Sequence, residues 1–270
     1  MGRFITRTAA AVSVVFVLGV LVACGPRPAE ETVSSDIMIV DDMVLNKSQF
    51  QTSIIDPGAS DESVSVRGAT GFSIYDSVPW PGGRIPIVFE PVLDASQRSL
   101  FNEACAQWAI AANVRCQPRT NERHYLYVSA SESGCYSTVG ASLRGDPRRL
   151  NLGPGCWTPR VALHEIGHAL GFMHEHQRPD RDRYIQIQWD AILTGWSFAL
   201  DRLGTAGYET YYDFQSVMHY DQYAFSKDWV RPTIVAKPPY TGYQQVMGQY
   251  PSLSEGDKAA VARIYGAPAR

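Results

Sequence analysis

The hydrophobic positions divide the chain into an apolar leader, a polar and acidic segment, and a long mixed region. Residues 9–23 are almost all apolar and follow Arg3 and Arg7, the pattern of an export signal rather than of a fold element. Residues 24–70 bring Pro26, Pro28 and acidic, Ser-rich sequence with few aromatics, which predicts a linker or pro-segment and not a second domain. From residue 71 the pattern becomes that of a folded domain extending to residue 270. Residues 85–89 and 125–129 read as strands, and 95–112 and 160–171 as helices. After Gly171 the chain is loop-rich until a closing helix at 254–264. Strands and helices mixed in one stretch, followed by a largely irregular half, predict an α+β fold. A cleft would lie between two subdomains, with an edge strand above it that could pair with an extended peptide.

Composition narrows the function. The formal net charge is −3 and no basic run occurs, which argues against a nucleic-acid partner. The leader is the single long apolar stretch, so no further membrane span is expected. An aromatic content of 11%, including Trp108, Trp157, Trp189, Trp196 and Trp229, is enough for residues 71–270 to bury one substantial core.

The chemistry is concentrated in His164-Glu165-Ile166-Gly167-His168-Ala169-Leu170-Gly171-Phe172-Met173-His174. On a helix, with about 100° and 1.5 Å per residue, His164 and His168 share one face roughly 6 Å apart and can grip one zinc ion. A straight helix would carry His174 about 15 Å beyond His164, far outside a Zn–N bond of roughly 2 Å, so the helix must stop and turn back. Gly171 permits that turn, because glycine ends helices at positive φ without Cβ strain. Three His ligands leave a fourth position for water, the mark of a catalytic Zn²⁺ site. The metal would lower that water's pKa from 15.7 to about 7, and Glu165 would take its proton as it attacks a carbonyl. His124, His176 and His219 have no such partner pattern and read as non-ligands.

The run continues Glu175-His176-Gln177-Arg178-Pro179-Asp180-Arg181-Asp182, and Ser216-Val217-Met218-His219-Tyr220 follows. Together these resemble the astacin family of metzincin zinc metalloendopeptidases: every fixed position of H-E-x-x-H-x-x-G-x-x-H-E-x-x-R-x-D-R-D is matched, and the second motif is similar to the family's Met-turn. The likeness extends from the strand-like run at Trp80 to the closing helix at Tyr265. It implies a zincin-like fold, with a twisted mixed sheet plus helices in the first subdomain and a loop-rich second subdomain. It also implies that His164, His168 and His174 bind zinc, that Glu165 is the general base, and that Met218 forms a hydrophobic floor under the metal. Tyr220 would be a further ligand in the resting enzyme that swings away to stabilise the oxyanion, and Glu175 would lie buried and meet the mature N-terminus.

In the acidic segment, Ile39-Val40-Asp41-Asp42-Met43 is similar to the family's F-x-G-D-I pro-peptide motif, with Ile39 for Phe and Asp41 for Gly. The resemblance implies that the Asp42 carboxylate takes the open zinc position and keeps a proenzyme silent; the alternative is a solvated acidic linker. The leader ends Leu21-Val22-Ala23-Cys24, similar to a bacterial lipobox, which implies an acylated Cys24 holding an exported chain on a membrane surface. An ordinary secretory signal that happens to end in cysteine is the alternative. Maturation near Arg67 or Gly71 would release the enzyme from that lipid.

Without Cys24, four cysteines remain in an exported chain, and they allow three disulfide pairings. Gly134-Cys135-Tyr136 and Gly155-Cys156-Trp157 resemble the ends of a short astacin disulfide, which implies a Cys135–Cys156 bridge. Cys105 then pairs with Cys116, a departure from the family, whose other bridge reaches the far C-terminus. The expected protein is a monomeric zinc endopeptidase acting on extracytoplasmic proteins or peptides. Two rivals stay open: a surface lipoprotein that binds without turnover, and a zinc hydrolase of a non-peptide amide.

Overall fold

In a computed structural model the described residues are 37–40, 42–46, 77–203 and 210–268, and of the first two strands only Asp42 and Met43 have described side chains. The export leader, Cys24, Arg67 and Gly71 lie outside these residues. The strands are β1 (Ile37–Val40), β2 (Met43–Asn46), β3 (Ser77–Val78), β4 (Arg84–Phe89), β5 (Arg115–Pro118), β6 (Leu126–Ser129), β7 (Cys135–Thr138), β8 (Ala141–Ser142), β9 (Arg148–Leu152), β10 (Ile185–Ile187) and β11 (Ile234–Ala236). The α-helices are α1 (Ala95–Ala111), α2 (Pro159–Ala169) and α3 (Glu255–Tyr265).

Seven strands form one mixed sheet in the order β1-β2-β7-β9-β6-β4-β5. β5, β4, β6 and β9 run parallel, β7 is antiparallel to β9, and β2 adds to β7 in parallel with Met43 opposite Ser137 and Val44 opposite Thr138. The sheet and α1 and α2 enclose a core that includes Trp80, Phe101, Trp108, Leu126, Leu150 and Leu163, all at most 1% exposed. The expected α+β, metzincin-type architecture is therefore present. Of these strands, β4 and β6 are the two that the sequence pattern marked at 85–89 and 125–129.

Each helix begins where its sequence provides a cap. Asp94 accepts from Gln97 N at the start of α1 while the Gln97 side chain takes Asp94 N, and Ser254 and Asp257 do the same for α3. Thr158 accepts from Val161 N ahead of Pro159 at the first turn of α2. The far end of α2 closes at Gly171, φ 104°, where Phe172 N reaches Gly167 O and Gly171 N reaches His168 O. These are the paired bonds of a Schellman turn. Further carbonyls at this end are taken by side chains from opposite ends of the domain: Trp80 Nε1 donates to Ala169 O and the Tyr265 hydroxyl to Leu170 O. Both bridges expected around α1 and the sheet are formed, Cys105 to Cys116 and Cys135 to Cys156.

The second half is built differently. Its small core gathers Ile185, Ile187, Leu200, Tyr212, Phe214 and Ile234 around the β10–β11 ladder, and most of its backbone is turns and single 3-10 turns. It meets α2 and α3 around the site.

Candidate active site

α2 presents His164 and His168 from adjacent turns, and the reversal at Gly171 brings His174 back to them. The Nε2 atoms of His168 and His174 are 3.2 Å apart, and those of His174 and His164 3.3 Å. Tetrahedral ligands at Zn–N distances of about 2.0–2.1 Å would be spaced by about 3.3 Å. Asp42 completes the group: its Oδ2 lies 2.9 Å from His164 Nε2, and its Oδ1 lies 3.2 Å from His168 Nε2 and 2.8 Å from His174 Nε2. All four residues are buried, with their ligating atoms within 4.8 Å of one another, and this grouping leaves out His124, His176 and His219.

The fit to a cation follows from the other ring nitrogens. His164 Nδ1 faces the Val217 carbonyl at 2.6 Å and His168 Nδ1 faces that of Phe172 at 2.8 Å. A carbonyl only accepts, so each Nδ1 carries the hydrogen and each Nε2 keeps a lone pair. Lone pairs and a carboxylate aimed at one point repel each other, and a divalent metal satisfies all of them at once. Burial pushes the His168 imidazole down to about 4, opposed by Asp42. For Asp42 burial acts upward, but attraction to His174, His164 and His168 outweighs it and holds the carboxyl well below its usual range.

The Met-turn lies against this centre. A Cβ on Gly167 would come within 2.4 Å of Met218 Sδ, so the glycine in the last turn of α2 is what lets that sulfur lie against the helix. Asp257 of α3 holds the turn by accepting from Ser216 Oγ at 2.6 Å and Val217 N at 3.0 Å. Glu175 N then donates to Met218 O at 3.0 Å. A path of bonds therefore runs from the cap of the last helix through Val217 to His164, and the sequence signal for it was only the Ser254–Asp257 capping pair.

Tyr220 is partly exposed at the rim. Its ring centroid lies 4.3 Å from those of His174 and His176, within reach of the metal centre. Glu165 follows the first ligand and is buried. Glu175 accepts from Arg178 Nη1 and from Asp213 N, each at 2.8 Å. Burial nonetheless pushes its carboxyl up to about 8, with the Arg178 charge and the Asp213 N–H pulling the other way.

A family model described as Astacin, a peptidase family, matches residues 73–266. The chain belongs to the astacin family. It is 35% identical to Bone morphogenetic protein 1 of Xenopus laevis over 193 residues, 70% of this chain and 27% of that protein. It is 36% identical to Zinc metalloproteinase nas-8 of Steinernema carpocapsae over 197 residues, 70% of this chain and 45% of that protein. The astacin chain therefore spans less than half the length of either relative. Among solved structures, High choriolytic enzyme 1, a hatching enzyme zinc-protease from Oryzias latipes, matches with a TM-score of 0.64 at 29% identity, covering 71% of this astacin and 94% of that chain.

Proposed function

We propose that the domain from residue 71 cleaves peptide bonds in extracytoplasmic proteins or peptides, and that the form described above is its latent state. The observation that carries this reading is the convergence of three Nε2 atoms, with Asp42 oxygens within 3.2 Å of each, at the end of a helix that also bears Glu165. His164, His168 and His174 would hold the ion. Zinc, when bound, supplies a Lewis acid that polarises the scissile carbonyl and lowers the pKa of water to about 7.

The rest falls to the chain's own residues. Glu165 takes a proton from the attacking water as its oxygen bonds to the carbonyl carbon, then passes it to the departing amine as the C–N bond breaks. Tyr220, whose ring is tilted against that of His174, donates its phenolic hydrogen to the developing oxyanion. β7 offers an extended substrate its backbone groups, and in the latent form β2 covers that edge. Removing the pro-segment near Arg67 or Gly71 would uncover the edge, withdraw Asp42, and leave a new amine for the carboxyl of Glu175. The same cut would release the domain from a lipid on Cys24. The two disulfides support an oxidising, exported setting.

Casein or gelatin digestion by the processed enzyme tests the chemistry. Glu165→Gln should lower kcat/KM by roughly 10²–10⁴-fold with zinc content unchanged, and unaltered hydrolysis would remove Glu165 from the mechanism. Asp42→Ala should give the uncut protein activity that the wild-type precursor lacks; equal activity of the two precursors would make Asp42 a bystander.

A further inference from the structure

We propose that Gln177 is a positioning residue for His174, fixing the tautomer and direction of the third ligand; this rests on the metal-centre reading above. The three candidate ligands are not oriented by the same means. His164 and His168 give their Nδ1 hydrogens to backbone carbonyls, those of Val217 and Phe172, which no substitution deletes. His174 Nδ1 instead faces a side chain, Gln177 Oε1, at 2.9 Å.

The direction of that contact is determined by what lies behind the amide. Gln177 is fully buried, and its Nε2 lies 3.1 Å from the Ala199 carbonyl. That carbonyl cannot donate, so the NH2 must face it and Oε1 must face the imidazole. Nδ1 of His174 therefore carries the hydrogen, and Nε2 is left with its lone pair toward the centre. The flipped amide would set two oxygens against each other at Ala199. It would also place NH2 against Nδ1, drive the imidazole hydrogen onto Nε2 and block that atom as a ligand.

The support for this amide comes from far along the chain. Ala199 O also accepts from His176 Nε2 at 3.1 Å, Arg181 Nη1 bridges the carbonyls of His176 and Leu200, and Leu203 N donates to Gln177 O at 2.8 Å. The Ser197–Leu200 turn is in this way the base on which the third ligand is set. Only a group with one donor and one acceptor at its tip meets both neighbours. Glutamine does so, as does a protonated glutamate. Methionine fills similar space and does neither.

The test measures the zinc dissociation constant of the full chain by competition with a chelator, together with the unfolding midpoint. Gln177→Met should weaken zinc binding about 10–100-fold, the usual cost of losing an outer-shell partner, whereas Gln177→Glu should stay within about threefold of wild type. A space-filling role gives the opposite ranking, because methionine keeps the volume and glutamate adds a buried acid. Wild-type affinity in Gln177→Met overturns the proposal. If that variant fails to fold, a loss of more than about tenfold in folded Gln177→Glu overturns it instead. His174→Ala separates the two readings: unchanged zinc affinity there would bring down the metal centre itself, while a large loss alongside a neutral Gln177→Met would reject only the role of Gln177.

Discussion

On the helix side of the site, His164 and His168 stand on two turns of α2, pinned through Trp108 Nε1 to Leu163 O and a stack of Trp108 on Phe172 with ring centroids 5.5 Å apart. On the opposite side, Tyr220 packs on the small core around β10 and β11, and the residues after His174 run through single 3-10 turns. Arg178 there binds Glu175, Asp180 and the carbonyls of Thr210 and Tyr211, and Arg181 binds those of His176 and Leu200. The first side is held by apolar burial, which is non-directional and tolerates exchange at constant volume. The second is held by buried polar groups that must each find a particular partner, where losing one member strands the others. Directional bonds suit the side that carries Tyr220, because they fix a loop without filling the cleft with side chains.

The sharpest way to break that contrast is at Arg178, whose side chain is 5% exposed between two carboxylates. Arg178→Met should cost about 3–5 kcal/mol, since Glu175, Asp180 and the carbonyls of Thr210 and Tyr211 all lose one buried cationic partner. Urea unfolding would read this, and a loss under about 1 kcal/mol would mean that the polar side is no more brittle than the apolar one. Next is the double replacement Cys135→Ser with Cys156→Ser, which opens the loop between β7 and the approach to α2. It should remove about 2–4 kcal/mol of stability, chiefly by freeing the unfolded chain. A smaller change in the unfolding midpoint, with wild-type zinc content, would show that β7–β9 pairing alone fixes that region. Least costly is Tyr220→Phe, which should leave the unfolding midpoint in place and lower kcat roughly 10²-fold with little change in KM. A rise in KM alone would turn the rim tyrosine into a substrate-binding residue.

How far these features could be read in advance depended on the range of the interaction that makes them. Helix starts are local: the expected helices at 95, 160 and 254 begin within one residue of the observed ones, which Asp94, Thr158 and Ser254 cap. The turn at Gly171 was readable because only a reversal at a residue free to take positive φ lets His174 rejoin His164. β5, β7 and β9 were not, since each becomes a strand by pairing with a neighbour distant in sequence rather than by any period of its own. Gln177 and Asp257 were missed for a related reason: one occupies a variable position of a long motif, and the other lies in the first turn of the closing helix with no site motif around it. Their partners, His174 with Ala199 and the Met-turn amides, adjoin them only in the folded chain.

The order of His, Glu and Gly residues by itself determined that one metal could be gathered, which residues could gather it and where the helix had to end, because ligand spacing on a helix and the φ preference of glycine are properties of a few consecutive residues. Which way each imidazole carries its hydrogen, and the strand pairing that brings an acid more than a hundred residues upstream within 3.2 Å of all three Nε2 atoms, were decided only by tertiary structure. Those features depend on carbonyls and strands brought together from distant parts of the chain, and hydrogen bonds and ligand fields are sensitive to tenths of an ångström that no spacing in a sequence encodes.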